Sequence, residues 1–229
     1  MIYNHVFTGT FIERINRFIA KVVIDNKEEL VHVRNTGRCK EILLPGTRVF
    51  LEKSFSPHRK TAYSLISAYK EDALINIDSQ IPNKVVYDAL LTDKIQEIRK
   101  IDLLKREVTF EKSRFDLYFE SHWCTRGFIE VKGVTLEENG VAKFPDAPTE
   151  RGRKHILEMI KAVEQGYQGF LFFLIQLKGC HTFTPNDLMD PAFGQALRLA
   201  YEGGVNILCY DSHVGENSIH IGDKVPILL

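Results

Sequence analysis

Through residues 1–80 the chain alternates between hydrophobic and polar positions. Six short runs carry this period of two: HVFTGTFIE, FIAKVVID, LVHVRN, TRVFLEK, YSLISAY and ALINID. Side chains two apart share one face of a strand, so each run reads as a strand with one buried face. Polar or glycine-containing joints separate the runs. Short strands at this spacing predict a small barrel or sandwich, and about five strands in this length fit an OB-like barrel. Near Ile81-Pro82-Asn83 the period changes. Tyr87, Leu90, Leu91, Ile95 and Ile98 recur at helical spacing, which predicts a helix from Val85 to Arg106. The change sets a boundary between a barrel of residues 1–82 and a second domain of residues 83–229.

Three strand-like runs follow, REVTFEK, SRFDLYFE and RGFIEVKGV, and then a glycine- and proline-marked loop from Glu137 to Pro148. Thr149 is placed to cap a helix whose apolar stripe is Ile156, Met159, Ile160 and Val163, with Gly166 as its stop. GFLFFLIQL reads as a buried strand. Asp190-Pro191 is a cap followed by proline in the first turn. The helix it opens ends at Gly203-Gly204, and VNILCYD is another buried strand. Helix, three strands, helix, strand, helix, strand predicts an α/β domain, a mixed sheet flanked by helices.

Composition changes this picture little. The 229 residues are 44% hydrophobic and 26% charged, with a formal net charge of zero, so no bulk basic field advertises nucleic acid. Cys39, Cys124, Cys180 and Cys209 are scattered without a CxxC pair, which argues against a zinc finger or a disulfide framework and suits free thiols in a reducing cytoplasm. The opening MIYNHVFTGTFIERINRF carries charge too early for a signal peptide. The longest apolar run, GFLFFLIQL, is too short for a membrane span. A cytoplasmic protein without a membrane segment is expected; its oligomeric state is left open.

The chemistry concentrates in SRFDLYFESHWCTRGFIEVKGV. Glu130 and Lys132, two apart, emerge on one face of a strand. A hairpin centred near Trp123 sets Asp116 opposite Glu130, with Cβ atoms roughly 5 Å apart. Two carboxylates so close repel unless a cation lies between them, and oxygen ligands alone suit Mg²⁺ or Mn²⁺. Asp116 and Glu130 are therefore metal-ligand candidates, and Lys132 completes a catalytic trio for metal-assisted phosphodiester hydrolysis. The competing reading is a solvated cross-strand ion pair. Against it, Phe115, Leu117, Phe119, Phe128, Ile129 and Val131 make both strands apolar, and charges are rarely buried there without a partner or a metal.

Two further segments carry charge. From Arg34 to Lys60 seven basic residues stand against Glu41 and Glu52. This is either a solvated surface or a phosphate-binding patch, for which Arg34, Arg38, Arg59 and Lys60 are the candidates. Within it NTGR reads as a turn. Asn35 and Gly37 suit positive φ, Thr36 bonds backbone locally, and Arg38 is presented. In FPDAPTERGRKHI, Arg151, Arg153 and His155 open a helix. The competing reading is a basic helix start packed by Glu150 and Asp146. But a basic first turn opposes the helix dipole, and the free N–H groups of a helix start suit an anion, so these three are also candidates for phosphate. Arg153 and His155 fall on opposite flanks of the apolar stripe.

HVRNTGRCKEILLPG, SRFD with IEVKGVT, and FPDAPTERGRKHI occur together in this chain. In that combination, over nearly its whole length, the chain resembles the sugar fermentation stimulation protein A (SfsA) family of bacteria and archaea. The resemblance implies an N-terminal OB-like barrel and a C-terminal domain similar to PD-(D/E)xK nucleases. The motif's members fall on Asp116, Glu130 and Lys132. The residue before Asp116 is Phe115, not proline, so only the chemical members of the motif remain. Glu107 is a candidate for an additional acid. The resemblance also implies DNA binding without sequence preference and an effect on sugar metabolism, above all maltose; the sequence leaves RNA open as a further partner. Two functions stand at this point. One is a sequence-independent DNA-binding, regulatory protein with a nuclease-like site. The other is a metal-dependent nuclease.

Overall fold

The structure, a computed structural model, describes residues 1–35, 37–122 and 125–229. Thr36, Trp123 and Cys124, which figured in the expected turn, hairpin and thiol set, lie outside the described residues. The alternating runs form β1 (Val6–Arg14), β2 (Ile19–Ile24), β3 (Lys27–Val33), β4 (Arg48–Lys53), β5 (Tyr63–Lys70) and β6 (Ala73–Asn76). Asp25 and Asn26, both at positive φ, make the two-residue turn between β2 and β3, the geometry that matches strand twist. The sheet order is β3-β2-β1-β4-β5-β6, and a parallel pairing of β3 with β5 closes five strands into a barrel. Its interior takes one face of each strand, with Ala20, Val22, Val31, Val33, Val49 and Leu65 fully buried.

The second sheet has the order β15-β14-β12-β9-β8-β7. It is built from β7 (Ile101–Phe110), β8 (Ser113–Ser121), β9 (Arg126–Val134), β12 (Gln168–Ile175), β14 (Asn206–Gly215) and β15 (Ser218–Lys224). The central strand β12 runs parallel to both neighbours and is buried on both faces, which accounts for its unbroken apolar run. Phe170, Phe172 and Leu174 pack with α1 (Ile81–Leu91) on one side. Leu171, Phe173 and Ile175 pack with α2 (Glu150–Glu164) and α3 (Pro191–Glu202) on the other. The expected caps are present. Thr149 Oγ1 accepts from the Gly152 N–H, and Asp190 accepts from the Phe193 N–H. Among the described residues no helix is long and apolar enough to cross a membrane. Cys39, Cys180 and Cys209 are free and buried.

Three expectations are corrected. The helix expected over 85–106 ends at Leu91, where Thr92 Oγ1 bonds the carbonyls of Asp88 and Ala89. Asp93 and Lys100 at positive φ turn the chain, and Ile101 onward is an edge strand. Ile95 and Ile98 are buried in the connection, at a spacing that imitates a helix. The loop expected over 137–148 holds a hairpin, β10 (Leu136–Glu138) and β11 (Val141–Phe144), and β13 (Thr182–Pro185) joins it in a third, three-stranded sheet. Neither Asn35 nor Gly37 has positive φ; Cys39 does. Asn35 instead makes a side-chain turn, its Oδ1 accepting from the Gly37 N–H and its Nδ2 donating to the Ile77 carbonyl.

A buried seam joins barrel and second sheet. Gln176 Nε2 donates to the Asn76 and Asp78 carbonyls and to Asn76 Oδ1, while the Asn76 N–H donates to the Gln176 carbonyl. Ile2 bridges Ser218, and the Tyr3 N–H donates to the Asn217 carbonyl. Gly133 leaves room for the seam: a Cβ there would lie 2.3 Å from Gln176 Oε1 and 2.7 Å from Pro82 Cγ. Gly133→Ala is expected to cost about 1–3 kcal/mol by overpacking. Urea denaturation checks this, and a neutral substitution would contradict the packing.

Candidate active site

The β8–β9 ladder pairs Glu120 with Arg126 through Leu117 with Ile129 and then stops. Asp116 and Glu130 are the next pair, where the strands part. Phe115 and Leu117, two apart, pack in different cores, so β8 twists at Asp116. In place of ladder bonds, Asp116 Oδ2 accepts from the Val131 N–H at 2.8 Å. Its Oδ1 accepts from Asn83 Nδ2 at 2.7 Å, in the first turn of α1. Glu130 faces α2 and is 2% exposed. Its Oε1 accepts from Lys132 Nζ and from His155 Nδ1. Its Oε2 is buried and has no partner among the described residues.

The two carboxyls are driven apart electrostatically. Burial, and after it the charge of Glu130, raises Asp116 from 3.8 to about 6. Burial alone would raise Glu130 too, but the His155 hydrogen bond and the Lys132 charge outweigh it and hold Glu130 below its ordinary value. One carboxylate is thus held charged while its neighbour titrates close to neutrality, the separation typical of paired catalytic acids. Among the described residues no group of three or more His, Cys, Asp or Glu is placed to hold a metal. Two carboxylates with one unsatisfied buried oxygen nevertheless fit an ion such as Mg²⁺, which keeps several waters of its own.

The other predicted residues scatter. His155 is 7% exposed and bonded to Glu130 through Nδ1. Arg151 and Arg153 make no ion pair or side-chain hydrogen bond among the described residues. Arg34 is committed to Asp78 and Glu52. Arg59 Nη2 donates to Ser64 Oγ. Arg38 and Lys60 are exposed. Glu107 is exposed and paired with Arg114 at 2.8 Å, outside the cluster. Sequence reasoning missed Asn83 and Gln176. Neither has a motif of its own, and only proximity in the fold reveals them.

His155→Ala removes one of the two donors to Glu130 Oε1 and leaves a buried carboxylate less satisfied. A loss of about 1–3 kcal/mol is expected, read by chemical denaturation. An unchanged midpoint would show that the His155 bond contributes nothing.

Comparison with known proteins adds to this geometry. A family model described as the sugar fermentation stimulation protein RE domain matches residues 80–218, and an SfsA N-terminal OB domain model matches residues 12–77. A sugar fermentation stimulation protein homolog of Alkaliphilus oremlandii (strain OhILAs) is 55% identical over 231 residues, covering 99% of this chain and 98% of that protein. One of Clostridium novyi (strain NT) is 53% identical over 226 residues, covering 99% of each. A solved structure described as Pyrococcus furiosus SfsA in complex with Ca²⁺ is similar to this chain, with a TM-score of 0.92 and 27% identity, covering 100% of this chain and 98% of the other.

Proposed function

The chain belongs to the SfsA family, and from that membership and the paired carboxylates we propose that it binds nucleic acid without sequence preference and hydrolyses phosphodiesters with a divalent metal. The observation that carries this reading is the buried Oε2 of Glu130, unpartnered among the described residues, in a carboxylate whose charge acts on Asp116. A buried carboxylate oxygen left without a donor is costly, and a cation removes that cost. The relative solved with Ca²⁺ supports a hard divalent ion with oxygen ligands.

Asp116 and Glu130 would hold the ion. When bound, a divalent ion supplies charge stabilisation to the phosphoryl oxygens and acidifies a water. The chain's own groups position the parts. Asn83 and the Val131 N–H fix the Asp116 carboxylate, while His155 and Lys132 fix Glu130. Lys132 also sets a positive charge beside the site for a phosphate. Arg151 and Arg153, unpaired among the described residues at the start of α2, attract the polymer's backbone. The family name points to sugar fermentation, and a nucleic-acid-directed activity would act on it through gene expression.

The test is purified protein on labelled DNA and RNA with Mg²⁺, Mn²⁺ or EDTA. Hydrolysis with metal and none in EDTA is the expected result. No cleavage of any nucleic acid under either metal would remove the enzymatic half and leave a binding protein.

A further inference from the structure

Two adjoining cavities open between the barrel and the second domain, of about 460 and 520 Å³. Arg17, Gly37 and Ala147 line both. One wall is the β1–β2 turn with the loop after β3. It is pinned from inside by Arg14, whose guanidinium donates to the carbonyls of Arg17, Asn35, Gly37 and Arg38. The opposite wall is the segment between β11 and α2. Gly37 lets the walls approach, since a Cβ there would lie 2.3 Å from Asp146 Oδ2. The floor holds buried Asn35 and Gln176.

The charge of this cleft is one-sided. Arg17, Arg38, Lys40 and Arg151 line it and are exposed. None makes an ion pair or side-chain hydrogen bond among the described residues. Asp146 is the one acid in the two linings. The cleft also reaches the shoulder of the active site. Gly133 in its wall follows Lys132 directly, and Arg151 stands one helical turn, about 6 Å, before His155. Phe18, which follows Arg17 in the chain, is half exposed.

We propose that this cleft is the path of an unpaired polynucleotide strand, so that the site acts on single-stranded rather than duplex nucleic acid. The inference rests on the phosphodiester reading of the Asp116–Glu130 cluster and names its substrate class. A cationic groove that tracks the backbone is part of the usual design for a single strand. Cavities in the roughly 300–1,000 Å³ range of small-ligand pockets admit one or two nucleotides of such a strand. A duplex, with two backbones and stacked pairs, needs more room than cavities of this size give.

Fluorescence anisotropy in EDTA, with labelled oligo(dT), oligo(U) and a duplex of equal length, separates the alternatives. Wild type is expected to bind the single strands at least about tenfold tighter than the duplex. The tighter of the oligo(dT) and oligo(U) arms then shows which of these two strands the cleft prefers. Ala147→Trp fills both cavities without changing charge and is expected to weaken single-strand binding about tenfold, with its thermal midpoint confirming that it folds. Arg17→Ala with Arg38→Ala, both at exposed positions, is expected to flatten the slope of log K against log salt by about 1.4, at about 0.7 per phosphate contact on a single strand. Equal or tighter duplex binding overturns the proposal, as does single-strand binding indifferent to both variants. Hydrolysis of bis(p-nitrophenyl) phosphate by wild type with Mn²⁺ reports the carboxylate cluster alone. Hydrolysis without strand preference sinks the cleft; strand preference without hydrolysis sinks the enzymatic reading and leaves the cleft standing.

Discussion

Asp116→Asn is expected to reduce metal-dependent cleavage by about a thousandfold or more. A bound divalent ion contributes several kcal/mol of charge stabilisation in the transition state, and each 1.36 kcal/mol is tenfold in rate. Affinity for nucleic acid in EDTA should stay the same or rise slightly, because one negative charge near phosphate is gone. The same substitution should stabilise the metal-free fold. Asp116 is raised from 3.8 to about 6. Its contribution to stability is therefore present below 3.8 and lost as pH rises through about 6. At neutral pH the ionised group works against the fold by up to about 3 kcal/mol. Asn removes that charge, so a gain of about 1–3 kcal/mol is expected at about pH 7.5 in EDTA, vanishing near pH 4. Catalytic groups commonly carry such a cost in stability. Cleavage assays and urea titrations at the two pH values check both halves. Full cleavage by the variant would place the activity elsewhere.

Arg34→Ala is expected to cost about 3–5 kcal/mol, the usual loss when one member of a buried ion pair is removed. Arg34 Nη1 lies 3.0 Å from Asp78 Oδ2, and Nη2 lies 3.1 Å from Glu52 Oε2. The Asp78 side chain is fully enclosed. Burial raises its pKa, against the Gln80 N–H and the Arg34 charge that lower it. The sign of the pH dependence follows. A carboxyl raised in the folded state favours folding below its unfolded pKa and loses that contribution as pH rises through the folded one. Without Arg34 the folded value rises further, so the deficit should be larger at about pH 7.5 than at about pH 5. Urea midpoints at both values test it. A loss below about 1 kcal/mol at both would show that the pair is poorly coupled.

The strands of the barrel were legible because each buries one face, which makes alternation a direct record of geometry. The caps at Thr149 and Asp190 were legible for a similar reason: a short oxygen-bearing side chain just before an apolar stripe has one good use. Glu130 and Lys132 could be paired from spacing alone, since a strand returns to the same face every second residue. What failed were inferences that depend on neighbours distant in sequence. Ile95 and Ile98 satisfy the core from a connection, and hydrophobic spacing cannot tell that from a helix. Leu136–Glu138 and Val141–Phe144 are strands because Thr182–Pro185 pairs beside them. His155 and Arg34 read as cations available to a ligand, yet each is held by an acid on another element, Glu130 in β9 and Asp78 beyond β6. Charge is visible in a sequence; what neutralises it is not.

The bridge from Ile2 to Ser218 and the bond from Tyr3 to Asn217 bear on how the chain matures during synthesis. The barrel's strands leave the ribosome early, but the segment that leads into them finds its partner only after the β14–β15 turn has emerged. Tyr3, whose hydroxyl accepts from Asn76 at the seam, must wait with it. Domains tend to fold as units in order of their appearance. Here the first unit holds an open seam until nearly the last is made.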